Sequence, residues 1–370
     1  MHELRRGLLA IKYIAFELLP VFLIGVTIFV LVLVMFQSFQ LSEYIIIHGA
    51  RLTTVLQMVI YVTLGFLPIL LPIALLFAVL LTYGRMSGDS EIVAMKALGL
   101  RPIHLLLPAL TVGLCVSILS LQLSFRLAPW GNRELNNLLT RIEETRPTIT
   151  IRNGVFAEGA FDMVIYANKV DAANNLLHHV FIYDERNPKS PLTIIAKKGR
   201  LITHETKMGQ AAYLQLSNGS VHKSSAASYT KIDFSTYDIK LFDPNTIKKV
   251  KIGPQQMNMS QLYSAIHRMP KTNPNRIDYL LEWNTRWALS ATCLILALVG
   301  MGLGTTTNRR TARSGSMVIC ISAVVIYWAL YVAFESLAQS GKLPVPVAVW
   351  MTNLIFLIFG LFQYQKVRES

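Results

Sequence analysis

Residues 55–81 read VLQMVIYVTLGFLPILLPIALLFAVLL, a run without one charged side chain. A transmembrane α-helix needs about 20 predominantly apolar residues to cross a hydrocarbon layer about 30 Å thick. Five other stretches are also long and apolar enough. The six predicted spans are Phe16–Phe36, Val55–Leu81, Ile103–Leu127, Trp287–Gly304, Ser316–Ala338 and Val345–Phe362. The chain is therefore predicted to be an integral membrane protein.

The overall composition agrees with a membrane protein. Hydrophobic residues make up 53% of the 370 residues, charged residues make up 15%, and the mean hydropathy is +0.44. An average soluble domain contains about 25% charged residues. The net charge of +14 could indicate a nucleic-acid partner. However, many of the basic residues lie in short segments between the spans, so no nucleic-acid binding is predicted.

The positions of Lys and Arg predict the orientation of the chain. Eleven lie in the N-terminal segment, the second and fourth loops and the C-terminal tail, whereas the other short loops contain only Arg51 and Lys342. Loops rich in Lys and Arg remain in the cytoplasm. Both termini are therefore predicted to be cytoplasmic, and the large polar block after the third span is predicted to lie on the outer side of the membrane.

Three spans precede this polar block and three follow it. The predicted domains are residues 1–127 with spans one to three, residues 128–282 outside the membrane, and residues 283–370 with spans four to six. Helical periodicity predicts helices on both flanks of the block, and Asn273-Pro274 predicts the start of a helix that continues into span four.

The middle of the block has the period of two that is typical of β-strands. The predicted strands include Thr148–Ile151, Met163–Tyr166, Val180–Tyr183, Leu192–Ile195, Tyr213–Leu216 and Tyr229–Leu241. Turn signals such as Lys198-Gly199 and Asn218-Gly219 separate some of them. Several short strands separated by turns predict either a sandwich or an open jelly-roll-like sheet. The predicted fold class is a membrane α-helical protein, with six transmembrane helices in a 3+3 arrangement and an inserted all-β domain outside the membrane.

The motifs of the common catalytic sites are absent from the sequence. It contains no G-x-x-x-x-G-K-[ST], H-E-x-x-H or G-x-S-x-G. The adjacent His178 and His179 would point to opposite faces of a strand, so no metal site is predicted. Gly300-x-Gly302-x-Gly304 lies at the end of a span and is interpreted as a site of close helix packing. The chain is predicted to be a non-catalytic subunit that binds no cofactor.

A short helix is predicted in the basic loop between spans two and three, over residues 89–98. Asp89 is the predicted N-cap, and Glu91 suits the positive end of the helix dipole. Gly99 is the predicted left-handed residue after the helix. Ile92, Met95 and Leu98 form an apolar edge. Two interpretations remain open, a turn that merely joins two spans and a docking element for a soluble cytoplasmic partner.

Several segments resemble one family. These are Ser90-Glu91-Ile92-x-x-Met95-Lys96-Ala97-x-Gly99, Glu17-Leu18-Leu19-Pro20, Phe181-Ile182-Tyr183-Asp184-Glu185-Arg186, Lys198-Gly199-Arg200-Leu201 and Gly341-Lys342-Leu343-Pro344. Their order and the 3+3 layout resemble the LptF/LptG (YjgP/YjgQ) permeases of lipopolysaccharide export. The acidic strand and the Gly-Lys-Leu-Pro loop favour an LptF-like over an LptG-like member.

The resemblance implies an ABC transporter that moves lipopolysaccharide out of the inner membrane. It implies a heterodimer with a second homologous six-helix permease, a cytoplasmic ABC ATPase dimer that uses ATP, and periplasmic transport proteins with similar β-domains. The coupling residues would be Asp89, Ser90, Glu91, Ile92, Met95 and Leu98. The inserted domain would be a periplasmic all-β jellyroll-like domain that receives the lipid.

Lipid phosphates need cations near the outer ends of the spans. The lipid-binding candidates are Arg51, Arg126, Arg133, Arg286, Glu335 and Lys342. Ordinary interface or snorkelling roles remain open for the cations. Glu335 is included because a carboxylate near hydrocarbon is costly unless it is paired or hydrated, so it is predicted to face a cavity or a cation.

Two other functions remain possible from the sequence. One is a mechanotransmitting ABC membrane subunit, for which four spans are usual. The other is a membrane sensor with a ligand-binding periplasmic domain, which would need a cytoplasmic signalling domain. Six similar spans argue against the first function, and the short cytoplasmic segments argue against the second.

Overall fold

The computed structural model describes most of the 370 residues. The described ranges are 2–48, 52–145, 153–160, 163–171, 176–185, 191–206, 209–225, 228–242, 252–270, 273–306 and 312–369. The chain forms two compact units. The helical unit comprises residues 1–40, 56–135 and 252–370, and the β unit comprises residues 41–55 and 136–251.

Among the described residues, six helices are long and apolar enough to cross a membrane, as predicted. The helices are α1 (His2–His48), α2 (Leu52–Gly88), α3 (Glu91–Ala97), α4 (Pro102–Gln122), α5 (Ala128–Thr145), α6 (Met259–Arg268), α7 (Arg276–Thr306), α8 (Ala312–Gln339) and α9 (Val345–Glu369). All except α3, α5 and α6 supply one predicted span each.

Two spans continue into helices beyond the membrane without a break. A π-helical turn, Leu123–Leu127, joins α4 directly to α5 and is called the π segment below. The fourth span is part of α7, which begins just after Asn273-Pro274. The Asn273 Oδ1 accepts the Asn275 N–H at 3.0 Å in the turn before α7. The predicted continuous helix into span four is therefore confirmed.

The glycines of α7 allow neighbouring helices to approach closely. A Cβ on Gly302 would lie 2.6 Å from the Gln363 Cβ, and one on Gly304 would lie 2.8 Å from the Tyr83 Cβ. Small residues are enriched where membrane helices pack at short range. The predicted packing role of these glycines is therefore confirmed, with α9 and α2 as the neighbouring helices.

The β unit contains one antiparallel sheet with the strand order β1-β2-β3-β4-β5-β6. The strands are β1 (Phe156–Ala160), β2 (Met163–Asp171), β3 (Leu176–Asp184), β4 (Leu192–Thr206), β5 (Gly209–Ser225) and β6 (Ser228–Phe242). Five of the predicted strands are confirmed, and Thr148–Ile151 lies outside the described residues. The inserted β-domain is confirmed; its described strands form a meander because each pairs with its sequence neighbour, unlike the Greek-key order of a jelly roll.

One face of the sheet is apolar. Ile165, Ile182, Ile194 and Val221 are paired in register across four strands, and all four are buried. A period of two places alternate residues on this face. Because all these strands belong to one sheet, burial of the row indicates that the sheet curls around it.

Two predicted turns in this unit are wrong. Gly199 lies within β4 and Gly219 lies within β5. Gly199 is packed against Leu216 and Val180, while a Cβ on Gly219 would collide with the Ile195 carbonyl oxygen. These glycines are required by close approach across the sheet, which the sequence motif does not distinguish from a turn.

Replacing Gly302 by Ala should destabilise the helical unit. The new methyl group would meet the base of the Gln363 side chain, so a helix would have to shift, and overpacking typically costs about 1–3 kcal/mol. Unfolding of the purified full chain in detergent micelles would measure the loss. Gly253→Ala is the control, since nothing lies within 4 Å of a Cβ there. Equal stability of the two variants would contradict this packing.

Candidate functional site

The helix α3 follows a sharp turn at the end of α2. Its N-cap is Ser90, which has a left-handed backbone with φ 63° and makes no side-chain capping hydrogen bond. Asp89 is exposed, and its N–H donates to the Arg85 carbonyl at 2.9 Å. The prediction that Asp89 is the N-cap is therefore wrong, because α2 extends to Gly88 and the turn places Ser90 at the cap position.

The C-terminal end of α3 agrees with the prediction. Gly99 has a φ of 80°, a conformation that favours glycine. The Gly99 N–H donates to the Lys96 carbonyl at 2.9 Å, and the Leu100 N–H donates to the Met95 carbonyl at 3.1 Å. Pro102 then begins α4. The short helix is thus held between two turns.

The apolar edge predicted on α3 is divided between the protein interior and the surface. Ile92 is 4% exposed, and Met95 is half-buried against the same core. Leu98 is 72% exposed and Val93 is 53% exposed. Ile92 and Met95 of the predicted edge face the core, because a short helix lying on the spans buries one stripe. The exposed apolar surface is formed by Val93 and Leu98.

Polar contacts connect α3 to helices at both ends of the chain. The Tyr13 hydroxyl donates to the Glu91 Oε2 at 3.2 Å, and the Lys96 Nζ donates to the Val367 carbonyl at 3.1 Å. The N-terminal part of α1, α3 and the C-terminal part of α9 therefore lie at one end of the helical unit. This end also contains the 2.9 Å ion pair between Arg85 and Glu17.

At the other end of the helical unit, two arginines hold the irregular segment 252–258, which is called the return loop because it leads from the β unit back to the spans. Arg286 is 4% exposed. Its Nε donates to the Glu282 Oε1 at 2.7 Å, and its terminal nitrogens donate to the Met257 carbonyl at 2.7 Å and the Pro254 carbonyl at 3.1 Å. A buried arginine with its donors used in this way is a structural clasp.

Arg133 reaches the same loop from α5. One terminal nitrogen donates to the Gln256 carbonyl at 2.8 Å and to the Gln261 Oε1 at 2.9 Å. Gln261 in turn completes the capping box of α6 with Asn258, whose Oδ1 accepts the Gln261 N–H at 3.0 Å. Arg133 and Arg286 therefore bind carbonyl groups of the protein, which weakens their predicted lipid-binding role.

The other lipid-binding candidates are not brought together with these two. Arg126 is exposed on the π segment, and Lys342 is exposed between α8 and α9. Glu335 is half-buried on α8 and has no ion-pair partner in the described part of the chain. Arg51 lies outside the described residues.

A buried polar cluster joins the last three spans and was missed by the motif search. The Asn353 Oδ1 accepts from the Thr292 hydroxyl at 3.0 Å and the Tyr327 hydroxyl at 2.9 Å, and the Asn353 amide donates to the Ala288 carbonyl at 2.9 Å. A lone Asn in an apolar span is the signal that could have found it. Within the described ranges, no group of His, Cys, Asp and Glu could hold a metal ion.

Replacing Arg286 by Met should strongly destabilise the helical unit. The substitution leaves the partly buried Glu282 and the return-loop carbonyls without their donor, and breaking a buried pair typically costs about 3–5 kcal/mol. Equilibrium unfolding in detergent, together with protease cleavage in residues 252–258, would measure this. Arg268→Met, at an exposed arginine in the last turn of α6, is the matched control. If both variants lose the same stability, the clasp does not hold the loop.

The chain was compared with known proteins. A family model described as "Lipopolysaccharide export system permease LptF/LptG" matches residues 12–366. The lipopolysaccharide export system permease protein LptF of Escherichia coli (strain K12) is 24% identical over 79% of this chain and 77% of its own length. An uncharacterized protein of Rickettsia prowazekii (strain Madrid E) is 23% identical over 95% of this chain and 97% of its own length. The chain belongs to the LptF/LptG family of lipopolysaccharide export system permeases.

Proposed function

We propose that this chain is the LptF-like membrane subunit of an ABC transporter that extracts lipopolysaccharide from the inner membrane. The geometry of α3 carries the proposal. It is a short helix between two spans, packed on the core by one face and exposing the other, as a coupling helix must be. ATP would be hydrolysed by a separate cytoplasmic ATPase dimer, and this chain would bind no cofactor itself.

The contacts of α3 support a mechanical role. Ile92 anchors it in the core, while Val93 and Leu98 are free to enter a groove of the ATPase. Glu91 would face the same partner and hold α1 through Tyr13, and Lys96 would hold α9. A displacement of α3 would therefore be transmitted to the first and last spans, which are far apart in sequence.

The exposure of the spans supports a second permease subunit. In the most apolar part of each span, only 17% of the first span and 22% of the fifth are buried, whereas 78% of the fourth is buried. Spans one and five would therefore contact lipid or another chain. We assign this surface to a homologous six-helix permease, with the transported lipid between the two subunits.

The β unit would accept the lipid after it leaves the membrane. Its curled sheet has an aliphatic face that includes Ile165, Ile182 and Ile194. Such a face can cover acyl chains while the polar face remains in water. Periplasmic transport proteins with similar β-domains would continue the path toward the outer membrane.

The proposed topology follows from the loop charges. Both termini and α3 would be in the cytoplasm, and residues 128–282 would form the periplasmic domain between membrane domains 1–127 and 283–370. The contacts of Tyr13 with Glu91 and of Lys96 with Val367 support this arrangement, since they place both chain ends beside α3.

Leu98→Asp should abolish association with the ATPase while the permease stays folded. The Leu98 side chain is 72% exposed, so its replacement costs the fold little, whereas a carboxylate in an apolar interface is unfavourable. Copurification of the full complex and its ATP hydrolysis would measure the loss, expected to exceed about tenfold, or about 1.4 kcal/mol.

Glu91→Ala should also weaken this association, and Asp233→Ala at an exposed carboxylate of β6 is its control. Retention of the ATPase by both Leu98→Asp and Glu91→Ala would exclude α3 as the docking element. The permease variants can be distinguished from unfolded chains by their unchanged unfolding midpoints.

A photo-crosslinking side chain at Ile182 should capture lipopolysaccharide when the complete transporter hydrolyses ATP. Ile182 is fully buried on the aliphatic face of the sheet, whereas Asn168 in β2 is exposed and serves as the control position. Adducts would be detected by immunoblotting of the purified chain. Equal adducts at both positions, or adducts that do not depend on ATP, would contradict passage along this face.

A further inference from the structure

A pocket of about 680 Å³ lies between the π segment, the first turn of α6 and the start of the apolar part of α7. It is separate from α3 and adjoins the return-loop clasp, because Asn258 lines it and the Arg286 Cζ lies 5.4 Å from the Phe125 ring centroid. Its wall contains four aromatic rings, from Phe125, Tyr263, Trp283 and Trp287, and one cation, Arg126.

The four rings form a continuous cluster. The Phe125 centroid lies 5.7 Å from that of Trp283 and 5.6 Å from that of Trp287, and Tyr263 lies 5.9 Å from Trp283. Trp and Tyr are enriched where membrane helices meet the lipid headgroups, because their rings are apolar with one polar edge. The rings offer an apolar wall to a ligand, and in a bilayer a cluster of this composition would favour the headgroup level.

The cation of this pocket is free to bind a ligand. Arg126 is exposed and, within the described ranges, has no hydrogen-bond or ion-pair partner, in contrast to Arg286. The π segment places the buried Phe125 ring and the exposed Arg126 side by side at the pocket. Single π-helical turns within a helix often occur at functional sites.

The polar end of α6 lies beside this cation. Asn258, Met259 and Ser260 line the pocket, and they are the N-cap and first two residues of the helix. The first N–H groups of a helix have no partner within it, and the helix dipole adds positive charge there. This arrangement complements the anionic group that an arginine recognises.

The aromatic wall and the cationic end of the pocket together fit a ligand that has a phosphate next to an acyl chain. We propose that this pocket binds one phospholipid of the surrounding membrane, with its phosphate at Arg126 and an acyl chain against Phe125, Trp283 and Trp287. Pockets of roughly 300–1,000 Å³ hold one small ligand. The pocket of about 680 Å³ has room for one acyl chain and not for the several acyl chains of lipopolysaccharide together, so we assign it a phospholipid whose second chain stays in the bilayer.

This proposal does not depend on lipopolysaccharide transport. The bound lipid would bridge α4 and α6, and α6 directly follows the return loop that Arg286 and Arg133 hold. The phospholipid would therefore stabilise the junction between the spans and the connection to the β unit.

The test is a titration of the purified full chain in detergent with phosphatidylglycerol that carries brominated acyl chains, which quench tryptophan fluorescence on contact. Saturable quenching is expected, and Arg126→Gln should raise the half-saturating lipid concentration about tenfold. Arg126→Lys should retain most of the affinity. Lys342→Gln, at an exposed cation between α8 and α9, should leave it unchanged. The combined Trp283→Phe and Trp287→Phe variant should lose most of the saturable quenching.

Three results would overturn the proposal. Brominated diacylglycerol, which lacks the phosphate, could quench at the same concentration as phosphatidylglycerol. The Arg126→Gln and Lys342→Gln substitutions could raise the half-saturating lipid concentration equally. Unlabelled lipopolysaccharide could displace the brominated lipid as well as unlabelled phosphatidylglycerol does, which would make the pocket part of the transport path.

Discussion

Backbone polar groups inside a hydrocarbon layer must form their hydrogen bonds within the protein. This constraint explains why the apolar stretches are helices. It also explains the arginines next to the return loop. The Gln256 and Met257 carbonyls lie at the end of the short 3-10 turn Pro254–Gln256, and Arg133 and Arg286 supply donors to them. A cation that looks available for lipid in the sequence is therefore used to hold the backbone.

Tertiary contacts also hold α3, at the opposite end of the helical unit. A seven-residue helix is too short to be stable alone. It is held by the buried Ile92, by turns at Ser90 and Gly99, and by its contacts with α1 and α9. These attachments make α3 a rigid part of the bundle, which a coupling element needs if a push from outside the membrane is to move the spans.

Periodicity and loop charge predicted a large part of this protein. Six spans, the inserted β-domain, the continuous helix into span four and the left-handed Gly99 are all local consequences of residue type. The predicted turns at Gly199 and Gly219 failed because glycine is selected both by turns and by close strand packing. The prediction of Asp89 as an N-cap was wrong because α2 extends beyond its apolar residues. For α3, the sequence pattern identified the apolar stripe but did not show which of its residues face the core.

The sequence by itself determined the membrane class, the number of spans, the strand-rich insert and the family, because hydrophobic length, period and motif order are properties of the chain. Only the tertiary structure decided which candidate cations are free. Arg133 and Arg286 donate to return-loop carbonyls that are 123 and 29 positions away in the chain. Arg126 on the π segment has no such partner within the described residues and lies beside Trp283 and Trp287. Hydrogen-bond partners of this kind are set by how the helices pack, and packing brings together residues more than a hundred positions apart.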